Sequence, residues 1–180
     1  ARELVARIDE SLKRLQTDHL DLWRVHFVDD PKVLDNDAIY TAFDKAKKAG
    51  KVGHLGVSTH TAPNTWELVN AAIGKKRFEF VMGKYNFMEF PEDYVPYAKA
   101  ARAGMGVVVF KVYAGARDKA SKEMQRIRAK LKISAEQAKI RWALQNENVT
   151  SVISGERSFQ GIKEAGQALT KKLSQAERRY

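Results

Sequence analysis

The stretch LDLWRVHF, residues 20–27, decides the fold because it carries two basic side chains inside a short apolar strand. Side chains along a strand alternate between two faces, so Trp23 and Val25 share one face while Arg24 and His26 share the other. A barrel lumen accepts polar side chains near the C-terminal mouth of its strands, whereas an open sheet covered by helices accepts them less readily. The alternation therefore favours a barrel over an open doubly wound sheet.

Strands and helices alternate on both sides of this stretch. Apolar residues at helical spacing predict a first helix over residues 2–16, and Ser134 followed by Gln137 is a capping box at the start of a later helix. Periodicity and turn residues predict strands over 51–58, 77–86, 106–113 and 150–154, and helices over 37–50, 62–73, 94–104, 117–131, 134–146 and 158–169. Such alternation with short connections predicts a parallel sheet surrounded by helices.

Length and composition narrow the class of protein. The 180 residues suffice for one substantial core, and we expect a single domain over 1–180. No apolar run approaches the roughly 20 residues that span a bilayer, and the chain does not open on a signal peptide, so we expect no membrane association and a cytoplasmic location. The absence of cysteine excludes disulfides, thiolate metal ligands and cysteine nucleophiles.

The chain is basic, with a formal net charge of +10. Such a charge favours polyanionic partners, namely nucleic acid, an anionic membrane or a phosphorylated small molecule. The basic residues are spread along helices, with denser runs over 117–132 and 171–179, and no nucleic-acid-binding module accompanies them. Nucleic acid is therefore the weakest of the predicted partners.

Three segments resemble the aldo-keto reductase family in the order that the family has them. SLKRLQTDHLDLWRVHFVD (11–29) is similar to the family's S-L-x-x-L-x-x-D-Y-[IL]-D-L-x-x-x-H, and AFDKAKKAGKVGHLGVSTH (42–60) to A-L-x-x-L-x-x-x-G-K-[IV]-R-x-[IL]-G-V-S. NENVTSVISGERSF (146–159) resembles N-P-x-V-x-x-x-I-P-G-x-R-[ST]. The resemblance implies an α/β fold, a partial (β/α)8 TIM barrel in which five parallel strands correspond to strands four to eight. The first three strands are expected to be absent from the chain.

The resemblance also implies a catalytic position. The family uses a tyrosine, an aspartate, a lysine and a histidine, and only the histidine, His26, falls within this chain; Tyr85 and Tyr113 do not match the tyrosine. A neutral and well-oriented His26 would donate a hydrogen bond to a carbonyl as hydride reaches its carbon. The alternative is a structural histidine at the mouth of the barrel. His54 and His60 fit no standard metal spacing with His26, so no metal site is predicted.

The cofactor implied by the resemblance is NADP. Ser58 and Thr59 occupy the positions that hold the nicotinamide carboxamide in the family. Phe110 matches the aromatic position that stacks on the nicotinamide ring, with Lys111 counted in the same site. The alternative for Phe110 is core packing.

The adenosine phosphate is expected at the start of the last helix. Gly155, Arg157 and Ser158 form a glycine turn into a helix N-terminus, whose backbone N–H groups attract anions. Arg157 adds a planar bidentate donor, which favours the 2′-phosphate of NADP over the ribose of NAD. The alternative is an ordinary surface arginine beside a helix cap.

Several positions depart from the family pattern. Met82 stands where the family commonly has glutamine, Gly161 and Ala165 where it has glutamine and asparagine, and Ser154 where it has proline. A glycine inside a helix costs about 1 kcal/mol relative to alanine, and at this position it also removes a side chain that would contact the cofactor. These changes predict a weak, altered or vestigial cofactor site.

Two functions from different classes follow. The first is an NADP-dependent oxidoreductase acting on a small carbonyl compound, with most of the catalytic tetrad outside the chain, and it predicts that His26, Ser58, Phe110 and Arg157 gather around one opening. The second is a non-catalytic partial barrel that acts as an assembly or interaction module. Because five strands alone leave two sheet edges uncovered, we expect homo-oligomers or a completing chain.

Overall fold

The computed structural model describes residues 1–60, 62–90, 94–113, 129 and 133–169. Its strands are β1 (Leu20–Val25), β2 (Val52–Ser58), β3 (Phe80–Lys84), β4 (Gly106–Phe110) and β5 (Ser151–Ile153). A 3-10 helix spans Pro31–Asp35, and the α-helices of the described residues are α1 (Arg2–Leu15), α2 (Asp37–Lys48), α3 (Ala62–Lys75), α4 (Val95–Arg102), α5 (Ala135–Gln145) and α6 (Phe159–Ala168). The basic helix predicted over 117–131 lies, apart from residue 129, outside the described residues.

The strands form one sheet in the order β1-β2-β3-β4-β5. β1 pairs with β2, β2 with β3, and β4 with β5, each in parallel. Strand order that follows chain order, with a helix between strands, is the βα repeat that the alternation predicted. The α/β class and the five parallel strands are therefore confirmed.

The chain divides into two compact units. The first comprises Ala1–Gly83 with Arg102–Gly106, and the second Lys84–Ala101 with Val107–Tyr180. The prediction of a single domain over 1–180 stays a prediction, and each unit is described by itself below.

The buried apolar residues of the first unit include members of β2 and of the helices α1, α2 and α3. The apolar stripe of α1 buries Ile8 and Leu12, and Trp23 of β1 stacks on Phe43 of α2 with ring centroids 6.4 Å apart. On the other face of β1 the side chain of Leu22 is 53% exposed. The alternation of faces predicted for this strand is thus present through Val25, where the strand ends.

The second unit is built around an aromatic cluster. Tyr85 is fully buried, stacks on Trp142 of α5 at 4.8 Å and meets Tyr97 of α4 edge-on at 5.7 Å. The α5 helix begins with the predicted capping box: Ser134 Oγ accepts a hydrogen bond from the Gln137 amide at 3.1 Å, and Gln137 Oε1 accepts one from the Ser134 amide at 3.0 Å.

Each of the strands β1 to β5 is shorter than the sequence predicted, most clearly β1, β3 and β4, the last of which ends at Phe110 and not at residue 113. β1 ends at Val25, so His26 and Phe27 follow the strand and do not belong to it. β3 begins at Phe80, whereas the prediction began it at residue 77. Apolar alternation continues past the end of β1 and also precedes the start of β3, and only pairing with a neighbour determines where a strand begins and ends.

Candidate active site

His26 and Ser58 form the centre of the candidate site in the first unit. The Nδ1 atom of His26 lies 2.8 Å from Oγ of Ser58, the last residue of β2. The amide of Val28 donates to the carbonyl of Ser58 at 2.8 Å, so two hydrogen bonds join the segment after β1 to the end of β2. Ser58 is fully buried, whereas His26 is exposed as a residue but partly buried where its ring bonds to Ser58. A buried hydroxyl therefore orients an imidazole that faces solvent.

The surroundings of His26 favour its neutral form. Burial, and after it the positive charge of Arg24, lower the pKa of His26 below its ordinary value. Both effects act against the imidazolium, because a charged ring loses hydration and is repelled by the guanidinium. The neutral ring required by the predicted role is thus the form that this environment stabilises at neutral pH.

Aromatic rings border His26. The His60 ring meets it edge-on with centroids 5.3 Å apart, and the Phe27 ring meets His60 at 4.8 Å. Edge-to-face geometry is the preferred packing of aromatic rings. In the sequence, His60 is grouped with His26 only as one of three histidines whose spacing fits no standard metal site, and no pattern predicts that Phe27 borders these rings.

Thr59 and Met82 lie beside this pair. Thr59 is buried, and its amide donates to the carbonyl of Met82 at 3.1 Å. Met82 stands opposite Ser58 in the register of β2 and β3 and is buried as well. The position at which the family commonly has glutamine is therefore occupied by an apolar side chain within the first unit.

Phe110 and Lys111 lie together at the end of β4 in the second unit. The Phe110 ring is only 8% exposed, and the Lys111 ammonium lies 5.9 Å from its centroid. Lys111 has a positive φ of 56°, a conformation that non-glycine residues seldom adopt. Phe110 was predicted to contact the cofactor or, alternatively, to pack in the core. Its position at the end of β4 is compatible with either role.

The turn after β5 has the geometry expected of the sequence Gly-x-Arg-Ser. Gly155 has φ of 73°, in the left-handed region that favours glycine. Ser158 caps α6, its Oγ accepting a hydrogen bond from the Gly161 amide at 3.0 Å, and the side chain of Arg157 is exposed. The turn, the helix start and the guanidinium could hold a phosphate at this end of the second unit.

Sequence reasoning missed one contact in that turn. Glu156, the variable residue of the motif, accepts a hydrogen bond from the hydroxyl of Tyr113. Tyr113 was considered only as a replacement for the family's tyrosine acid. An acidic residue inside a turn predicted to bind phosphate was the signal in the sequence that could have directed attention to Glu156.

The predicted site residues thus fall into two groups. His26, Ser58 and Thr59 lie together in the first unit, whereas the second unit holds Phe110 with Lys111 and, after β5, Gly155, Arg157 and Ser158. The single opening shared by both groups stays a prediction. Within the described ranges, no three His, Asp or Glu side chains are arranged to hold a metal ion. Among the helices in those ranges, none has both the length and the apolar composition to cross a membrane.

Comparison with known proteins identifies the family. The model of the Aldo/keto reductase family matches residues 1–180, the full length of the chain. The chain belongs to the aldo/keto reductase family. The resemblance found in the three sequence segments is therefore confirmed.

Curated aldo/keto reductase relatives match at moderate identity. The uncharacterized oxidoreductase YrpG of Bacillus subtilis is 32% identical over 113 residues, which cover 60% of this chain and 33% of YrpG. AAD3 of Saccharomyces cerevisiae is 30% identical over 178 residues, which cover 84% of this chain and 46% of AAD3. The chain spans less than half the length of these two relatives.

Solved aldo/keto reductases share the fold. The enzyme MGS-M4, from a deep-sea metagenome library of the Medee basin, aligns with a TM-score of 0.78 at 16% identity over 98% of this chain and 63% of its own. The thermostable Tm1743 aligns with a TM-score of 0.75 at 20% identity, over 98% of this chain and 64% of its own. This likeness confirms the predicted fold class, a part of a (β/α)8 barrel.

Proposed function

We propose that this aldo/keto reductase chain supports NADP-dependent hydride transfer to a small-molecule carbonyl compound. The observation that carries the proposal is the hydrogen bond of 2.8 Å between His26 and the buried Ser58. A bound nicotinamide cofactor supplies the hydride. The tyrosine, aspartate and lysine of the family tetrad would come from chain outside these 180 residues.

His26 would orient and polarise the carbonyl. If the Ser58 hydroxyl donates to Nδ1, the neutral ring carries its proton on Nε2 and can donate it to a carbonyl oxygen. The lowered pKa of His26 supports this role, because the ring stays neutral near pH 7. His26 therefore acts as a hydrogen-bond donor and not as a general base.

Ser58 can serve both His26 and the cofactor. A hydroxyl has one donor and two acceptor positions, so Ser58 can donate to His26 and keep an acceptor position for the nicotinamide carboxamide. Because Ser58 is fully buried, the carboxamide would reach it only by replacing a group that covers it in this structure. Thr59, which follows Ser58 in the first unit, would share that contact. With this assignment, the ring nitrogens of His26 and the hydroxyl of Ser58 all have hydrogen-bond partners.

The residues of the second unit fit the phosphate end of the cofactor better than its ring end. Gly155, Arg157 and Ser158 supply a left-handed turn, an exposed guanidinium and a capped helix start. These are the features by which proteins bind phosphate groups. The nearly buried ring of Phe110 offers the nicotinamide less contact area, which supports the expectation of a weak cofactor site.

Titration of the chain with NADPH tests the proposal. The three tryptophans provide a signal, and saturable quenching of their fluorescence, confirmed by calorimetry, is the expected result. A linear, non-saturating response up to millimolar NADPH would contradict cofactor binding. The variant His26→Gln should bind NADPH as the wild-type chain does, because His26 contacts the carbonyl and not the cofactor.

Arg157→Ala tests the choice of NADP. Loss of the guanidinium should lower the affinity for NADPH by about tenfold and the affinity for NADH by less than about twofold. A charge-assisted contact to phosphate contributes roughly 1.5–3 kcal/mol before solvent screening. Arg14→Ala, at an exposed position of α1, is the control for loss of a positive charge. Equal weakening of NADPH and NADH would contradict the phosphate role of Arg157.

A second candidate function is an assembly module completed by another chain or by a second copy. The supporting observation is Leu22, which is 53% exposed on β1, the strand at one end of the sheet order. An uncovered strand edge with an apolar side chain is a template for further pairing. Light scattering after gel filtration should detect a dimer or larger species that Leu22→Lys converts to monomer; a wild-type monomer at high concentration contradicts completion by a second copy.

A further inference from the structure

The turn that would bind phosphate contains an acidic side chain held in one position. Glu156 lies between Gly155 and Arg157, and its Oε1 accepts a hydrogen bond from the hydroxyl of Tyr113, 43 residues earlier in the chain. All of these residues belong to the second unit. A negative charge therefore stands within the segment assigned to an anionic ligand.

The carboxylate of Glu156 lies against the first turn of α6. A Cβ placed on Gly161 would lie 2.5 Å from Glu156 Oε2 and 3.3 Å from Ser158 Oγ. Both atoms thus lie beside Gly161 in the first turn of α6, and an anion near a helix N-terminus is stabilised by the helix dipole. Glycine at position 161, one of the departures from the family pattern, is the residue type that leaves room for this carboxylate.

Tyr113 is itself fixed on a second side. The ammonium of Lys139, which is almost fully buried, lies 5.7 Å from the centroid of the Tyr113 ring, within the range of a cation–π contact. Burial, and after it the hydrogen bond to Glu156, raise the pKa of Tyr113. The hydroxyl therefore keeps its proton and remains a donor that holds Glu156 over α6.

We propose, resting on the cofactor site of the proposed function, that Glu156 is a specificity-determining residue that acts against the 2′-phosphate of NADP. Two negative groups would compete for the same helix start and for Arg157, and they repel each other. A carboxylate can instead accept hydrogen bonds from the free ribose hydroxyls of NAD. Glu156 therefore narrows the preference for NADP that Arg157 confers.

The test uses fragments that differ in the 2′-phosphate. The wild-type chain and Glu156→Gln are titrated by calorimetry with 2′,5′-ADP and with 5′-AMP. Glutamine keeps the shape and can still accept the Tyr113 hydrogen bond, so the fold is retained, which circular dichroism and thermal melting check. We expect Glu156→Gln to bind 2′,5′-ADP about threefold to tenfold more tightly and 5′-AMP within about twofold of wild type, the range expected for one charge at a helix start.

Glu147→Gln is the matched control. Glu147 is exposed and precedes β5, whereas Glu156 follows it, so the variant removes the same charge at the opposite end of the strand. It should leave the affinity for 2′,5′-ADP unchanged within about twofold, since a distant exposed charge is screened. If Glu147→Gln increased the affinity for 2′,5′-ADP as much as Glu156→Gln does, the net charge and not the position of the carboxylate would be responsible. That result would overturn the proposal.

The remaining outcomes separate this inference from the proposed function. Unchanged or weaker binding of 2′,5′-ADP by Glu156→Gln, or no binding by either protein at millimolar concentration, overturns the role of Glu156. If the wild-type chain binds NADPH saturably while Glu156→Gln binds 2′,5′-ADP no more tightly than wild type does, the proposed function stands and the inference fails. If Glu156→Gln binds 2′,5′-ADP more tightly than wild type does, while the wild-type chain shows no saturable binding of NADPH, the inference stands and the proposed function fails.

Discussion

Nδ1 of His26 lies 2.8 Å from Oγ of Ser58, although 32 residues separate them in the sequence. The register of the first two strands brings them together: Val25, the last residue of β1, pairs with Val57, so His26 follows at the level of Ser58, the last residue of β2. Parallel strands present their carboxyl ends at one edge of a sheet, where barrel enzymes have their active sites. The hydrogen bond is thus a consequence of strand register.

Ser58→Ala should free the His26 ring. Without the hydroxyl, Nδ1 loses its donor and the proton distributes between both ring nitrogens, whereas we expect the wild-type ring to carry it on Nε2. Nitrogen-15 NMR of the labelled imidazole measures this distribution, and the loss of stability should be about 0.5–1.5 kcal/mol. Ser151→Ala, at an exposed hydroxyl of β5, is the control; an identical tautomer in wild type and Ser58→Ala would disprove the orienting role.

Arg24→Gln should raise the pKa of His26. Arg24 is one of the two causes that lower this pKa, after burial, so removal of its charge moves the value part of the way back. A titration of the ring proton by NMR measures the change. Lys48→Gln removes an exposed charge on α2 and should leave the titration unaltered; a pKa that stays constant or falls in Arg24→Gln contradicts the assignment.

The same variant changes the pH dependence of stability. His26 has a lower pKa in the folded state, so the unfolded chain takes up the proton first as pH falls. The stability associated with His26 is therefore complete above the unfolded pKa and is lost as pH falls through the folded pKa. Chemical denaturation between pH 7.5 and about 5 should show a smaller decrease in the free energy of unfolding for Arg24→Gln than for wild type.

Gly56→Ala should destabilise the first unit. A Cβ at position 56 would overlap the ring of Phe80, its partner in the register of β2 and β3. Overpacking of this kind costs about 1–3 kcal/mol, which urea denaturation would show. Gly74→Ala is the matched control, because nothing lies within 4 Å of that Cβ and alanine in a helix is favoured by up to about 1 kcal/mol.

Ser134→Ala should weaken the start of α5. The variant removes the acceptor of the Gln137 amide, and loss of such a cap costs about 0.5–2 kcal/mol. Thermal melting should show the decrease in stability. Ser11→Ala provides the contrast, because its hydroxyl bonds back to the carbonyl of Arg7 within α1 and its loss should be neutral or slightly stabilising.

Some of this architecture could be read directly from neighbouring residues. The Ser134–Gln137 capping box, the glycine turn at 155 and the order of strands and helices depend on residues within a few positions of one another. Helix caps, turns and periodicity depend on neighbouring residues, so they can be recognised in the sequence without knowledge of the fold. The family also followed from short segments, since three motifs in the right order were sufficient.

Other features depend on groups that are distant in the chain. The partner of His26, the end of β1 at Val25 and the contact of Glu156 with Tyr113 follow from strand register and packing. A shift in register by one residue would reverse the faces of a strand and separate these pairs, yet it would leave the local patterns almost unchanged. The sequence alone therefore determined the family, the element order and the caps, and only the tertiary structure decided which polar groups meet, because their meeting is set by long-range pairing.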